Sequence, residues 1–308
     1  MNESLEFTGE RFTPECVREI WYEHLHRYAF AATLVDGLQV LDAACGEGYG
    51  AALLARSAAQ VAAVDLSAEA VAHARDRYSD LEGLSFHEAD VTRLPFDDDR
   101  FDAVISFETL EHLEAQDAML AEFRRVLKPE GFLLISSPDK AIYTDAQGND
   151  NPFHVRELYR NELEALLARH FPAVELWGQK LGFHSAIWAF RSSRTVVLQQ
   201  AGDEEVRRTE EMPHPATYLL ALCTAEGAQL PEPPADLWLF DDRQETVYTH
   251  YHGEIRRNMA AGGNLAERDA EIERLKAELD EARAEARAEA RATRTWWQRL
   301  LGRSDHGA

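Results

Sequence analysis

The chain has 308 residues, and its 32 Lys and Arg stand against 55 Asp and Glu for a formal charge of -23. That charge repels phosphate backbones and makes nucleic acid a poor partner or substrate, while 45% hydrophobic residues exclude a wholly disordered chain. Cys16, Cys45 and Cys223 are an odd number without close pairing, so they read as reduced thiols and neither as a disulfide framework nor as a metal site.

From about residue 38 to 138, short β-rich runs alternate with helical stretches. Val40-Leu41 opens the first strand, and 50–58 reads as a helix. Strand 61–64 is followed by a helix over 68–78. Leu84-Ser85-Phe86 is a third strand and 101–106 a fourth. A helix over 115–127 stops at Pro129 and Gly131, and 132–136 is a fifth strand. This alternation implies an α/β fold, a parallel, doubly wound Rossmann-like sheet with ligands at the carboxyl ends of the strands. Further on, 157–170 reads as a helix, 173–177 as a strand, 191–214 as an excursion, and 218–222 as one more buried strand. Pro231, Pro233 and Pro234 are expected to end the compact part.

The last 45 residues differ. Leu265, Ile272, Leu279, Ala286, Thr293 and Leu300 fall seven apart, with Leu275, Ala282 and Trp296 at the second seam position. This is a coiled-coil pattern that weakens where Ala and Glu289 replace larger apolar residues; a single solvated helix with i,i+4 charge pairs is the alternative. Arg283, Arg287, Arg291, Arg294, Arg299 and Arg303 outnumber Glu285 and Glu289, and the segment ends in Trp296-Trp297-Gln298-Arg299-Leu300-Leu301. Paired indoles beside cations suit a membrane interface, and packing against a protein partner suits them equally. No apolar run approaches the ~18–20 residues of a membrane span, and the acidic opening of the chain lacks the blocks of a signal peptide. A cytoplasmic protein, with peripheral contact at the inner membrane face through the tip, is the expectation. The expected domains are an N-terminal helical cap (1–37), a main domain (38–240), a linker (241–263) and a coiled coil (264–303).

The loop Asp42-Ala43-Ala44-Cys45-Gly46-Glu47-Gly48-Tyr49-Gly50 joins the first strand to the first helix. Its glycines allow a sharp turn and close approach to a ligand, and helix amides point at whatever sits there. A tight turn with no ligand explains a glycine loop alone. Asp65 ends the second strand, where a carboxylate can accept ribose hydroxyls. Asp90-Val91 follows the third, where an acidic group meets an exocyclic amine and apolar neighbours flank a base. Acidic Glu47 and the lack of nearby Lys or Arg suit a pyrophosphate poorly, whereas Asp42 and its neighbours can receive a cation.

Residues 38–138 resemble the class I S-adenosylmethionine (SAM)-dependent methyltransferase family. Val40 to Gly50 is similar to its first motif, Val64-Asp65 to its ribose-binding acid and Ala89-Asp90-Val91 to its adenine turn. Phe101 to Leu113 resembles its fourth-strand motif, and Leu127-Lys128-Pro129-Glu130-Gly131-Phe132 its turn into the fifth strand. Ala44 departs from the pattern, standing where the family often has glycine. The resemblance implies a seven-stranded sheet whose last strand, 218–222, is antiparallel. It also implies S-adenosyl-L-methionine as cofactor, held by Asp42, Ala44, Cys45, Gly46, Gly48, Asp65, Leu66, Asp90, Val91 and Phe107.

Methyl transfer to a hydroxyl needs alignment and a proton acceptor. His112 and Glu108, just past the fourth strand, are the expected catalytic groups, His112 having a near-neutral intrinsic pKa; capping of the next helix is the bland reading of Glu111 and His112. Arg11, His24, His26, Tyr28 and His154 lie in two clusters suited to a polyhydroxylated acceptor. Those clusters and the tail resemble methyltransferases of bacterial surface-polysaccharide and glycan biosynthesis. The resemblance implies methylation of a sugar hydroxyl by a homo-oligomer joined through its coiled coil. Small-molecule and quinone-type acceptors, a non-catalytic SAM-binding scaffold and a nicotinamide oxidoreductase are the alternatives.

Overall fold

The computed structural model describes residues 19–149, 151–191, 198–201, 206–209, 212 and 214–301. Arg11 and Cys16 lie outside the described residues. The chain divides into two units, Met1–Glu245 and Thr246–Ala308.

In the first unit the helices are α1 (Glu19–Ala32), α2 (Tyr49–Leu54), α3 (Ala68–Arg77), α4 (Gln116–Val126) and α5 (Arg160–Ala168). The first five strands are β1 (Gln39–Ala43), β2 (Gln60–Asp65), β3 (Leu84–Glu88), β4 (Phe101–Phe107) and β5 (Leu127–Pro138). They are followed by β6 (Ala173–Leu181), β7 (Ser185–Ala189), β8 (Leu198–Ala201), β9 (Val206–Thr209), β10 (Tyr218–Thr224) and β11 (Leu237–Phe240). Among the described residues, nine strands form one sheet in the order β11-β7-β6-β10-β5-β4-β1-β2-β3. β1 to β5 pair in parallel, and β10 runs antiparallel to both β5 and β6.

The seven strands implied by the resemblance are thus present, and the sheet does not stop there. β7 folds back on β6 as a hairpin, and β11 adds to its outer side. The prolines at 231–234 therefore do not end the compact unit. The alternation in 185–189 and 237–240 is too short to distinguish from loop, and pairing with β6 makes strands of both. The 191–214 excursion contains the hairpin β8–β9.

The pleat sorts the core onto two faces. Leu41, Ala43, Val64, Leu133, Ile135, Leu219 and Ala221 join α4 residues Met119, Leu120 and Phe123 in one apolar cluster. Val40, Val61, Ala63, Leu134 and Leu220 join Tyr28, Phe30 and Leu54 in the other. Period-2 alternation along buried strands produces this division. α1 is accordingly part of the main fold: Phe30 packs on Trp177 of β6 and Trp238 of β11.

Local chemistry sets the helix ends. Ser67 Oγ accepts the Ala70 amide to cap α3, and the Glu162 carboxylate accepts the Tyr159 amide at the start of α5. Arg125, at the end of α4, donates to the Phe96 and Leu94 carbonyls and to Asp98 and Glu122. These bonds fasten the loop before β4.

The second unit is the helix α6, Thr246–Leu301. The expected linker over 241–263 is therefore helical from Thr246 onward. Gly253, Gly262 and Gly263 each cost a helix only about 1 kcal/mol, so they do not break it. Ile272, Leu275, Leu279, Trp296 and Trp297 are exposed along α6. Arg274 bonds Glu271 and Glu278, and Lys276 bonds Glu273. Among the described residues no helix is long and apolar enough to cross a membrane.

Candidate functional site

A cleft of about 690 Å³ opens at the carboxyl edge of the parallel strands. Each strand contributes the residues that follow it. Ala44, Cys45 and Gly46 come after β1, Asp65, Leu66 and Ser67 at the end of β2, and Ala89, Asp90 and Val91 after β3. Phe107 to Thr109 and Glu111 to Leu113 follow β4. Glu23, His24 and Tyr28 of α1 close one side, and Tyr143, Asn151, His154 and Tyr218 another.

The loop after β1 turns through left-handed backbone at Ala44 (φ 65°) and Gly46 (φ 55°). Its shape is held by Asp65, whose Oδ2 accepts the Gly46 amide at 2.8 Å and whose Oδ1 accepts the Ser67 amide at 2.9 Å. Asp90 Oδ1 accepts both the amide and the hydroxyl of Thr92, forming its own turn. Leu66 is 72% exposed and so offers an apolar side chain at the rim of the cleft.

Two residues expected at the cofactor do not line the cleft. Asp42 is fully buried, because it shares the strand face of Val40 and points toward α1. There its Oδ1 accepts the Tyr28 hydroxyl at 3.1 Å, and its Oδ2 has no hydrogen-bond partner. Burial, against the Tyr28 bond and with help from Asp65, pushes its carboxyl up to about 7. Gly48 also stays off the wall: it begins α2 at φ 81°, and a Cβ there would run into the Phe86 ring.

The expected substrate residues divide as well. His24, Tyr28 and His154 line the cleft, whereas His26 faces the sheet. Its Nδ1 meets Ser185 Oγ at 2.9 Å and its ring stacks on Phe240. Burial, with neighbouring Arg27, holds that imidazole down to about 3. On a helix, i and i+2 face different ways, so His24 and His26 cannot share one wall.

At the far end Glu108, Glu111, His112 and His154 converge. Glu108 has left-handed backbone (φ 50°) and accepts from Ser136 Oγ at 2.6 Å. Arg27, fully buried, comes within 3.9 Å of it and donates to Gln179 at 2.8 Å. Glu111 is also fully buried, and burial followed by the adjacent Glu108 charge pushes its carboxyl well above the usual range. The Nδ1 of His112 meets the Phe153 carbonyl at 3.0 Å, which selects the tautomer that leaves Nε2 as an acceptor. Glu23, Arg27 and Asn151 fall in the two polar clusters of the sequence, whereas Tyr49, Tyr143 and Tyr218 were given no site role there. The three tyrosines carry no such signal.

Comparison with known proteins places this geometry. Residues 41–135 match the model of a family described as a methyltransferase domain. A probable S-adenosylmethionine-dependent methyltransferase of Mycobacterium tuberculosis is 40% identical over 166 residues, covering 53% of this chain and 60% of that one. A fatty-acid O-methyltransferase of Mycolicibacterium smegmatis is 34% identical over 157 residues, covering 48% and 54%. The matches therefore span little more than half the length of these relatives. The crystal structure of the YcgJ protein from Bacillus subtilis superposes with a TM-score of 0.48 at 18% identity, covering 66% of this chain and all of that one.

The residues present fit SAM. The cleft wall offers the carboxylate of Asp65 for ribose hydroxyls and apolar Leu66, Val91 and Phe107 for a base. The unpartnered Oδ2 of Asp42 behind the loop suits the positive charge of a sulfonium amino acid.

Proposed function

We propose that this chain is a SAM-dependent methyltransferase acting on a hydroxyl of a polyhydroxylated acceptor, with a sugar hydroxyl of a bacterial glycan as the leading class. The observation that carries the reading is the union in one cleft of the loop–carboxylate wall and the polar group Glu108, Glu111, His112, Asn151 and His154. SAM, when bound, supplies a methyl carbon already activated by its sulfonium. Asp65, Leu66, Asp90, Val91, Phe107 and the Ala44–Gly46 backbone would hold it.

The protein's own work is then to align the acceptor and take its proton. His112 Nε2 and the Glu108 carboxylate are the acceptors at that end, and His24, Tyr143, Asn151 and Tyr218 offer hydrogen bonds to further hydroxyls. Positioning of the acceptor is the main contribution.

A lipid hydroxyl or carboxyl is the second reading, supported by the fatty-acid O-methyltransferase relative and by a phthiotriol/phenolphthiotriol dimycocerosates methyltransferase of Mycobacterium ulcerans, 33% identical over 154 residues. For α6 the reading is a self-associating coiled coil whose Trp296-Trp297 tip touches a membrane face, supported by its exposed apolar side chains.

Labelled-methyl SAM incubated with envelope extracts, followed by separation of polysaccharide from lipid, tests the acceptor. Label in the glycan fraction is expected. Label confined to lipid replaces the sugar by the second reading, and SAM binding without transfer to any fraction leaves a non-catalytic scaffold.

A further inference from the structure

We propose that Glu111, His112 and His154 form a binding site for one first-row divalent cation, of the kind that takes imidazole and carboxylate together, at the acceptor end of the cleft. The ligand atoms of these three residues all lie within 4.8 Å of one another. His112 Nε2 and Glu111 Oε1 are 3.9 Å apart. That is too far for a hydrogen bond and within the span of two atoms each about 2.1 Å from one ion. The two imidazoles meet edge to face, with ring centroids 5.1 Å apart and an interplanar angle of 86°.

The surroundings orient the set as a ligand set requires. Each histidine engages an acceptor through Nδ1, His112 with the Phe153 carbonyl and His154 with the Glu157 carboxylate. Both rings are thereby set in the tautomer whose Nε2 can coordinate, the arrangement that fixes metal-bound histidines. Glu157 is itself held by the Thr144 hydroxyl. Ser137 stands near Glu111, yet neither carboxylate oxygen meets hydrogen-bond geometry. A fully buried carboxylate with no donor in hydrogen-bond geometry is costly, and a cation between it and two imidazoles offsets that cost.

The two contributing segments are clamped together. The Glu111 carbonyl accepts the Val155 and Arg156 amides at 2.8 and 2.9 Å. The Gln116 side chain donates to the carbonyls of Leu110 and Arg156, both at 2.9 Å. The ligands thus sit on a preorganised frame. Two imidazoles and one carboxylate leave coordination positions open, and the open side is the cleft.

This site deepens the methyl-transfer reading and rests on it: it makes His112 a ligand and leaves Glu108 as the nearby proton acceptor. An acceptor hydroxyl bound to the ion would give up its proton more readily, the O–H bond breaking with its electron pair kept on oxygen and the proton passing to the Glu108 carboxylate.

The test uses the untagged full chain, stripped with chelator, desalted and titrated with Co²⁺ alone while visible absorption is followed. One equivalent should bind with ligand-field bands. His112→Ala and His154→Ala should each weaken uptake at least tenfold, and Glu157→Gln, which keeps all three ligands, by about 10–100-fold. SAM binding, measured separately by calorimetry, should stay within a few-fold in every variant and reports both folding and the cofactor reading. Sub-stoichiometric uptake by the unaltered chain, or uptake that survives the His112→Ala/His154→Ala pair, overturns the site even where SAM still binds. Loss of SAM binding by the unaltered chain would instead overturn the methyltransferase reading.

Discussion

Tyr28 and Asp42 are bound across the interface between α1 and β1: the phenol donates to Oδ1 at 3.1 Å, and both groups are buried. The same ring occupies the space where a Cβ on Gly50 would lie. One side chain therefore sets both the charge and the packing behind the loop after β1.

Burial raises the Asp42 carboxyl from 3.8 to about 7. A group whose folded pKa is raised contributes stability that is full below its unfolded pKa and is lost as pH rises through the folded one. This residue alone should therefore make the SAM-free protein less stable by a few kcal/mol as pH goes from about 4 to above 7. Asp42→Asn should flatten that slope in denaturant melts. Binding of cationic SAM should tighten from pH 6 to pH 8 in the unaltered chain and lose that dependence in Asp42→Asn. An unchanged slope in the variant would show that Asp42 is not the group responsible.

Gly50→Ala should destabilise by about 1–3 kcal/mol through overpacking. The clash is with Tyr28, so the penalty should shrink markedly in a Tyr28→Ala background, where the ring is absent. Equal costs of Gly50→Ala in both backgrounds, measured by urea melts, would contradict the account.

Ala44→Gly should be neutral or stabilising by up to about 1 kcal/mol. A left-handed alanine costs roughly 1–2 kcal/mol, and the extra freedom of unfolded glycine returns about 0.4–1 kcal/mol. A clear fall in Tm would mean that the methyl group at φ 65° makes a contact worth more than its strain.

Glu108→Gln should lower kcat by about 10²–10⁴-fold if the carboxylate takes the acceptor proton, with SAM affinity changed little. Calorimetry beside single-turnover rates separates the two. A variant that loses SAM binding and turnover together would place Glu108 in holding the cofactor instead.

Replacing Ile272, Leu275 and Leu279 by Ser should abolish self-association seen by sedimentation. These side chains are about half exposed on α6 and follow a heptad seam. An unaltered chain that sediments as a monomer at micromolar concentration would leave α6 as a solvated helix held by pairs such as Arg274–Glu278.

Much of the architecture was legible in the chain itself. Strand–helix alternation through residue 138 has only one economical solution, a parallel sheet, and the residues after its strands must gather at one edge. That is why Ala44, Asp65, Asp90, Phe107 and Glu108 meet in one cleft although they are scattered over 65 positions in sequence. Sequence also located β10, because a buried apolar run flanked by turns has few other uses.

Tertiary structure decided what depends on distant partners. The direction of Asp42 follows from strand parity and the arrival of Tyr28, so a residue read as cofactor-facing lies behind the loop. Gly48 and Gly50 read as ligand-approach glycines, yet they are small because Phe86 and Tyr28 press on them. β7 and β11 became strands only by pairing, and the convergence of Glu111 and His112 with His154 depends on hydrogen bonds to the Glu111 carbonyl. Sequence order determines which groups stand at the ends of strands, through local periodicity. Which way each group faces, and what it meets there, is determined by long-range packing that local propensity does not encode.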